Sequence, residues 1–217
     1  MTASILKKAR LGLAVALVLA ASALVLGSCI KPGSEAPVAA TTAAPAATPA
    51  IETAPSQDAP WYAARLEEMG FYVFPAPEPL PPFTVRELGG GETGVEAMAG
   101  KVVLLNFWAT WCPPCRAEMP SMQVLYEKTR DLAFDIMAVS VAEKRDTVTG
   151  FLKDNPRYKF PIFLDENGSA SAPFVSRGIP TTFILDKQGR AIAGVVGAHM
   201  YDGPETVAFF RELAERL

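Results

Sequence analysis

Cys112 and Cys115 enclose Pro113-Pro114. Two thiols at this spacing can close on each other as a disulfide or exchange one with another molecule, which is the chemistry of a dithiol redox site. The working species is the thiolate, so the surroundings must stabilise an anion. Val102 to Leu105, β-branched and aliphatic, reads as a buried strand leading in, and Pro113 to Arg130 reads as a long amphipathic helix leading out. This places Cys112 just before the helix and Cys115 one turn in. Orphan N–H groups and the macrodipole at a helix N-terminus favour negative charge at Cys112. Pro113 suits the first turn because its missing N–H would be unpaired there. Cys112 is the expected nucleophile and Cys115, facing inward, acts second. The competing reading is half of a zinc site, but a closed site takes four ligands. The chain has no second Cys-x-x-Cys, and its single histidine, His199, does not complete one. No metal and no cofactor is expected.

The elements that must position this pair follow in alternation. Phe83 to Leu88 reads as a strand, Gly89-Gly90-Gly91 as a turn, and Val95 as the start of a returning strand. After the long helix come a strand at Ala133 to Val141, a helix at Asp146 to Lys153 and a strand at Phe160 to Leu164. Thr181 to Leu185 and Arg190 to Val196 read as a hairpin, and a final helix starts near Pro204. The expected class is α/β, with a central mixed sheet flanked by helices, an N-terminal β-hairpin and an inserted helix–strand unit.

Ahead of this lies a different composition. Lys7, Lys8 and Arg10 precede the apolar run Leu11 to Leu26, the pattern of a targeting segment. Leu26-Gly27-Ser28-Cys29 then resembles the lipobox of bacterial lipoproteins, which implies a signal peptide over 1–28 and a lipid on Cys29. An uncleaved anchor is the other reading of the same run. Residues 29–60, rich in Ala, Pro and Thr, lack apolar periodicity and read as a disordered tether. Residues 61–82 read as a short helix and a Pro-rich connector, leaving 83–217 as the domain. The formal net charge of -3 over 217 residues shows no sign of the basic patch a nucleic-acid binder needs.

The stretch Asn106-Phe107-Trp108-Ala109-Thr110-Trp111-Cys112-Pro113-Pro114-Cys115, with Glu118, Pro120 and Pro180-Thr181-Thr182-Phe183 following in order, resembles thioredoxin-like proteins. More narrowly it resembles the TlpA/ResA group of membrane-tethered thiol–disulfide oxidoreductases. The resemblance implies a thioredoxin-like fold, a redox-active disulfide between Cys112 and Cys115, and a cis bond at Ile179–Pro180 facing it. It implies that Ile179 and Pro180 meet an extended substrate, and that Trp111, Pro113 and Pro114 form the exposed rim. Thioredoxins carry a buried Asp where this chain has Asn106. Glu118, three residues past Cys115, matches the ResA-like pattern and is the expected proton acceptor for Cys115. Trp108 is expected to pack near the cysteines and Pro120 to kink the helix, while His199 is given no role. The implied function is reduction of disulfides in exported proteins, apocytochromes c among them, by a protein lipid-anchored through Cys29 outside the cytoplasm and supplied by a membrane thiol-reductant donor. Two alternatives on the same fold are a copper-binding metallochaperone and a peroxiredoxin-like peroxidase. Against the first stands the two-residue spacer. Against the second stand Ala109 and Leu105, where that family has threonine and proline.

Overall fold

Val102–Trp108 is buried at every position. A strand of this kind needs cover on both faces, and it lies in the interior of the sheet. The computed structural model describes residues 59–217. In chain order the elements are α1 (Ala63–Glu68), β1 (Tyr72–Pro79), β2 (Val85–Glu87), β3 (Glu92–Thr93), a 3-10 helix (Val95–Met98), β4 (Val102–Trp108), α2 (Pro113–Thr129), β5 (Phe134–Val141), α3 (Arg145–Asp154), β6 (Ile162–Asp165), β7 (Thr181–Leu185), β8 (Arg190–Val196) and α4 (Pro204–Arg216). Among the described residues the strands make one eight-stranded sheet in the order β1-β8-β7-β4-β5-β6-β2-β3. β4, β5 and β6 run parallel, joined by the crossovers that contain α2 and α3, and the other pairings are antiparallel.

Side chains alternate across the sheet, so β4 feeds two cores. Leu104 and Trp108 pack with Ile136 and Ile184 against Met119, Met122 and Leu125 of α2 and Phe210 and Leu213 of α4. Val103, Leu105 and Phe107 face the other way, onto Met137, Val139, Met98 and Phe174. The site grows from the first core, at the end of β4 where the chain turns into α2.

The thioredoxin-like plan read from the sequence is the plan observed, with the β2–β3 hairpin and the α3–β6 unit in place. Two boundaries move. The short helix expected within 61–82 is α1, and the connector expected after it belongs to the fold: α1 buries Leu66, Phe71 joins the core, and β1 pairs antiparallel with β8 from Tyr72↔Gly194 to Pro79↔Arg190. Prolines are tolerated because β1 is the edge of the sheet, where one side of the strand has no partner to receive N–H groups. Val95 does not begin a strand. The return strand is the short Glu92–Thr93, and Val95–Met98 is a 3-10 helix that buries Met98. The signal peptide, Cys29 and all of the tether but its last two residues lie outside the described residues.

Candidate active site

β4 ends at Trp108, and three residues carry the chain to Cys112, the N-cap of α2. Glu143, in the loop after β5, holds this short passage. Its Oε2 accepts the Thr110 N–H at 2.8 Å and the Ser140 hydroxyl at 2.7 Å, and its Oε1 accepts the Thr110 hydroxyl. The Cys112 N–H donates to the Ala109 carbonyl at 3.2 Å. Cys112 takes an extended backbone conformation, as an N-cap should, and its Sγ accepts the Cys115 N–H at 3.3 Å. A sulfur already holding a helix N–H is where a thiolate is stabilised. Cys112 and Cys115 are joined in a disulfide, with Cys112 3% exposed and Cys115 fully buried. Reagents therefore reach the pair from the Cys112 side.

The Ile179–Pro180 peptide bond is cis, as the resemblance implied. Gly178, at φ 111°, makes the approach, a conformation that favours glycine. The Thr181 hydroxyl donates to the Gly178 carbonyl at 2.6 Å, and the Gly197 N–H donates to the Pro180 carbonyl at 2.8 Å. This bend brings the Ile179 carbonyl oxygen to 3.8 Å from Cys112 Sγ. Around it, Trp111 is 66% exposed, Pro113 and Pro114 are exposed, and Ile179 is half-buried. The predicted rim residues thus share one surface with Cys112. Trp108 is buried and leans on Phe151 at 5.4 Å between ring centroids. Pro120 lies inside α2. A groove of about 390 Å³ starts at Pro113 and is lined by Arg116, Phe151, Arg157 and Tyr158. A larger cavity, about 780 Å³, lies by β2, β6 and the start of α3 and contains none of the predicted site residues.

Glu118, one turn past Cys115, is fully buried. Its Oε1 accepts the Asn106 side-chain amide at 2.9 Å, and its Oε2 accepts the His199 main-chain N–H at 3.0 Å. The same Asn106 nitrogen donates to the Thr182 hydroxyl at 2.9 Å, which also accepts the Tyr201 hydroxyl at 3.4 Å. Burial pushes the Glu118 carboxyl up to about 7, against the opposing pull of its two hydrogen bonds. Burial, then the Glu118 charge, pushes the Tyr201 phenol up, and burial pushes the His199 imidazole down. Glu118 can thus gain or lose a proton near neutrality.

Sequence reasoning assigned His199 no role, yet its main chain binds Glu118. Its ring lies 5.3 Å from Phe71 and 4.9 Å from Tyr201, centroid to centroid. Glu143 and Tyr201 were also missed, and neither carries a spacing signal, while Thr182 was read only as part of the stretch after Pro180. Among the described residues, no group of three or more His, Cys, Asp and Glu is placed to hold a metal.

A cysteine pair at a helix N-terminus, facing a cis-proline across the end of a mixed sheet, defines a thioredoxin-fold thiol–disulfide oxidoreductase. Residues 77–192, more than half of the chain, match the AhpC/TSA family, and the chain belongs to that family. It is 35% identical over 117 residues to a thiol–disulfide oxidoreductase ResA of Bacillus cereus, covering 54% of this chain and 67% of that protein. A thiol:disulfide interchange protein of the thioredoxin family from Chlorobium tepidum TLS is 26% identical, with TM-score 0.52, over 65% of this chain and 97% of that one. A secreted thiol–disulfide isomerase from Corynebacterium glutamicum shares the fold, with TM-score 0.59 at 24% identity over 67% of this chain and 92% of that one.

Proposed function

We propose that the protein reduces disulfides in exported proteins, apocytochromes c awaiting haem among them, from a position tethered to the outer side of a membrane by a lipid on Cys29. The observation that carries the chemistry is the joint placement of Cys112 at a helix N-terminus, against the Ile179 carbonyl, with buried Glu118 one turn beyond Cys115. In the reduced protein, Cys112 thiolate attacks one sulfur of a substrate disulfide. The Cys112–substrate S–S bond forms, and the other substrate sulfur leaves as a thiolate that takes a proton from water. Cys115 then loses its thiol proton to Glu118 and attacks Cys112. The Cys112–Cys115 bond forms, and the second substrate sulfur leaves as a thiolate. Two electrons have passed to substrate, and a membrane thiol donor restores the dithiol. Sulfur chemistry of this kind asks for no cofactor. The Ile179 main chain, presented by the cis bond to Pro180, hydrogen-bonds the substrate strand, and Trp111, Pro113 and Pro114 supply its apolar seat.

The extracytoplasmic reading rests on the targeting pattern before Cys29. A peroxidase reading lacks support at Ala109, three residues before Cys112, which has no hydroxyl to offer a peroxide.

The deciding measurement is the equilibrium reduction potential of the Cys112–Cys115 pair in the full chain. The expected value is at or below that of thioredoxin, about −270 mV. A value near that of a strong oxidant, about −120 mV, would reverse the direction. A reduced pair that instead bound Cu(I) tightly and resisted oxidation would favour the metallochaperone. Replacing Cys29 by serine is expected to release the protein from the membrane fraction.

A further inference from the structure

Glu118 presents a hydrogen-bonding problem that its two partners solve unequally. As a carboxylate it accepts on both oxygens, from Asn106 Nδ2 and from the His199 N–H. Once it carries a proton, one oxygen becomes a donor, and it would then meet another donor. The His199 N–H is main chain and cannot reverse. The Asn106 amide can: its oxygen and nitrogen are nearly the same size, and a half-turn about the terminal torsion exchanges them without moving the strand. Asn106 Oδ1 is buried and has no hydrogen-bond partner among the described residues. A buried acceptor left unmade is costly and calls for an explanation.

We propose that Asn106 is a positioning residue with two orientations, one for each protonation state of Glu118. With Glu118 ionised, Nδ2 donates to Glu118 Oε1 and to Thr182 Oγ1, as observed. With Glu118 protonated on Oε1, the amide turns. Oδ1 then accepts the Glu118 O–H and the Thr182 hydroxyl, which can donate as readily as accept. Thr182 still accepts from Tyr201, and Glu118 Oε2 still accepts from His199. One amide atom is unpartnered in each orientation, Oδ1 in the first and Nδ2 in the second, so neither state is strongly preferred on that account. An Asp at this position would set a second carboxylate against Glu118, and a Leu would serve neither state. The Glu118 carboxyl at about 7 is consistent with both forms being reached near neutral pH. The groups facing it are Asn106 from β4, Thr182 from β7, and His199 and Tyr201 from the loop after β8. Cys115 shares its helix. Tyr201 is held neutral, and His199 is held below its usual range.

The role of this turn in the reaction rests on Glu118 taking the Cys115 proton, but the turn itself can be read without any thiol. In the oxidised full chain, the Glu118 carboxyl carbon and the Asn106 side-chain amide are followed by NMR from pH 5 to pH 9. At the alkaline end the Asn106 Nδ2 protons should show cross-peaks to Thr182 and Glu118 side-chain protons. Those cross-peaks should fade with the Glu118 titration as pH falls. Cross-peaks that persist through the titration, or a Glu118 that does not titrate in this range, overturn the proposal. In Asn106→Leu the Glu118 midpoint should move by less than about one pH unit, because a partner is lost from both forms. A rise of about two units would mark a partner of the charged form alone and would also overturn it. If the amide turns but Glu118→Gln leaves the pH profile of disulfide exchange unchanged, the proton-acceptor reading fails and the two-state amide stands.

Discussion

Two buried glutamates flank the disulfide, and they are served differently. Glu143 receives three hydrogen bonds, two of them from Thr110 in the passage that leads to Cys112. Glu118 receives two, one from a side chain that can turn and one from the main chain of a distant loop. Glu143 ties the end of β5 to the segment that sets Cys112 at its helix. Glu118 lies deeper, and burial outweighs its hydrogen bonds, so its proton is held to about neutral pH. The contrast separates a clamp from a carrier. A carboxylate whose oxygens are both committed to one loop fixes geometry, whereas a buried carboxyl with few donors exchanges protons.

The comparison breaks most plainly at Glu118→Gln. Glutamine fits the space and can accept the His199 N–H, but it cannot take a proton from Cys115. Release of substrate from the mixed disulfide should slow by about a hundredfold or more at pH 7, the range lost with a general base. The rise in rate as Glu118 ionises through neutral pH should disappear. Single-turnover exchange with a disulfide peptide checks this, and an unaltered pH profile would remove Glu118 from the mechanism.

The same residue governs a stability effect. An acid whose folded value is raised binds more protons folded than unfolded, so its contribution is complete below the ordinary value and is lost as pH rises through the folded one. For Glu118 this runs from its ordinary 4.5 to about 7. The oxidised protein should therefore lose on the order of 3 kcal/mol across that window. Glu118→Gln should remove that loss and be the more stable protein at pH 8. Urea unfolding at pH 5 and pH 8 measures it, and equal slopes with pH in the two proteins would contradict the burial account.

How much of this could be read beforehand depends on whether a feature is carried by spacing or by contact. The cysteines, the buried strand and the helix after them are spacing features, and all fall where the sequence puts them. The cis bond at Pro180 was legible only through resemblance, because a proline before a strand is trans by default. Glu118 had the right helical position, but its burial was not legible. A glutamate on a helix surface is ordinarily solvated, and here the loop through His199 and Tyr201 covers it, more than 80 residues along the chain. Main-chain donors such as the His199 N–H leave no trace in residue types. Glu143 failed for the same reason, since its partners are fixed only once β4 and β5 lie side by side. The β1 prolines misled in the other direction. Five prolines between 75 and 82 argue against a strand in the interior of a sheet, but say nothing against an edge.

On the clamp side, Glu143→Ala should act through structure alone. It leaves the Thr110 N–H and the Ser140 hydroxyl without an acceptor in a partly buried loop, at a cost of about 2–3 kcal/mol in unfolding free energy. The exchange rate should fall because Cys112 is less well held, but its pH profile should keep its shape. A shifted profile would make Glu143 a second proton carrier and dissolve the contrast with Glu118.

The finest test applies the conservative change to the clamp. In Glu143→Gln the amide oxygen can take the place of Oε2, where it accepts the Thr110 N–H and the Ser140 hydroxyl, both of which point there. The amide nitrogen then takes the place of Oε1, opposite the Thr110 hydroxyl. In the wild type that hydroxyl donates, and it can rotate to accept instead. All three contacts survive with one polarity reversed, and the loss is only the charge-assisted share of each bond. The expected cost is about 1 kcal/mol, with exchange at pH 7 within about threefold of the wild type. The same Glu→Gln replacement would then be nearly silent at 143 and severe at 118, although both carboxyls are buried and both lie near the disulfide. A large loss of exchange in Glu143→Gln with the fold intact would show that the loop needs the charge itself, and that position 143 does more than hold Thr110.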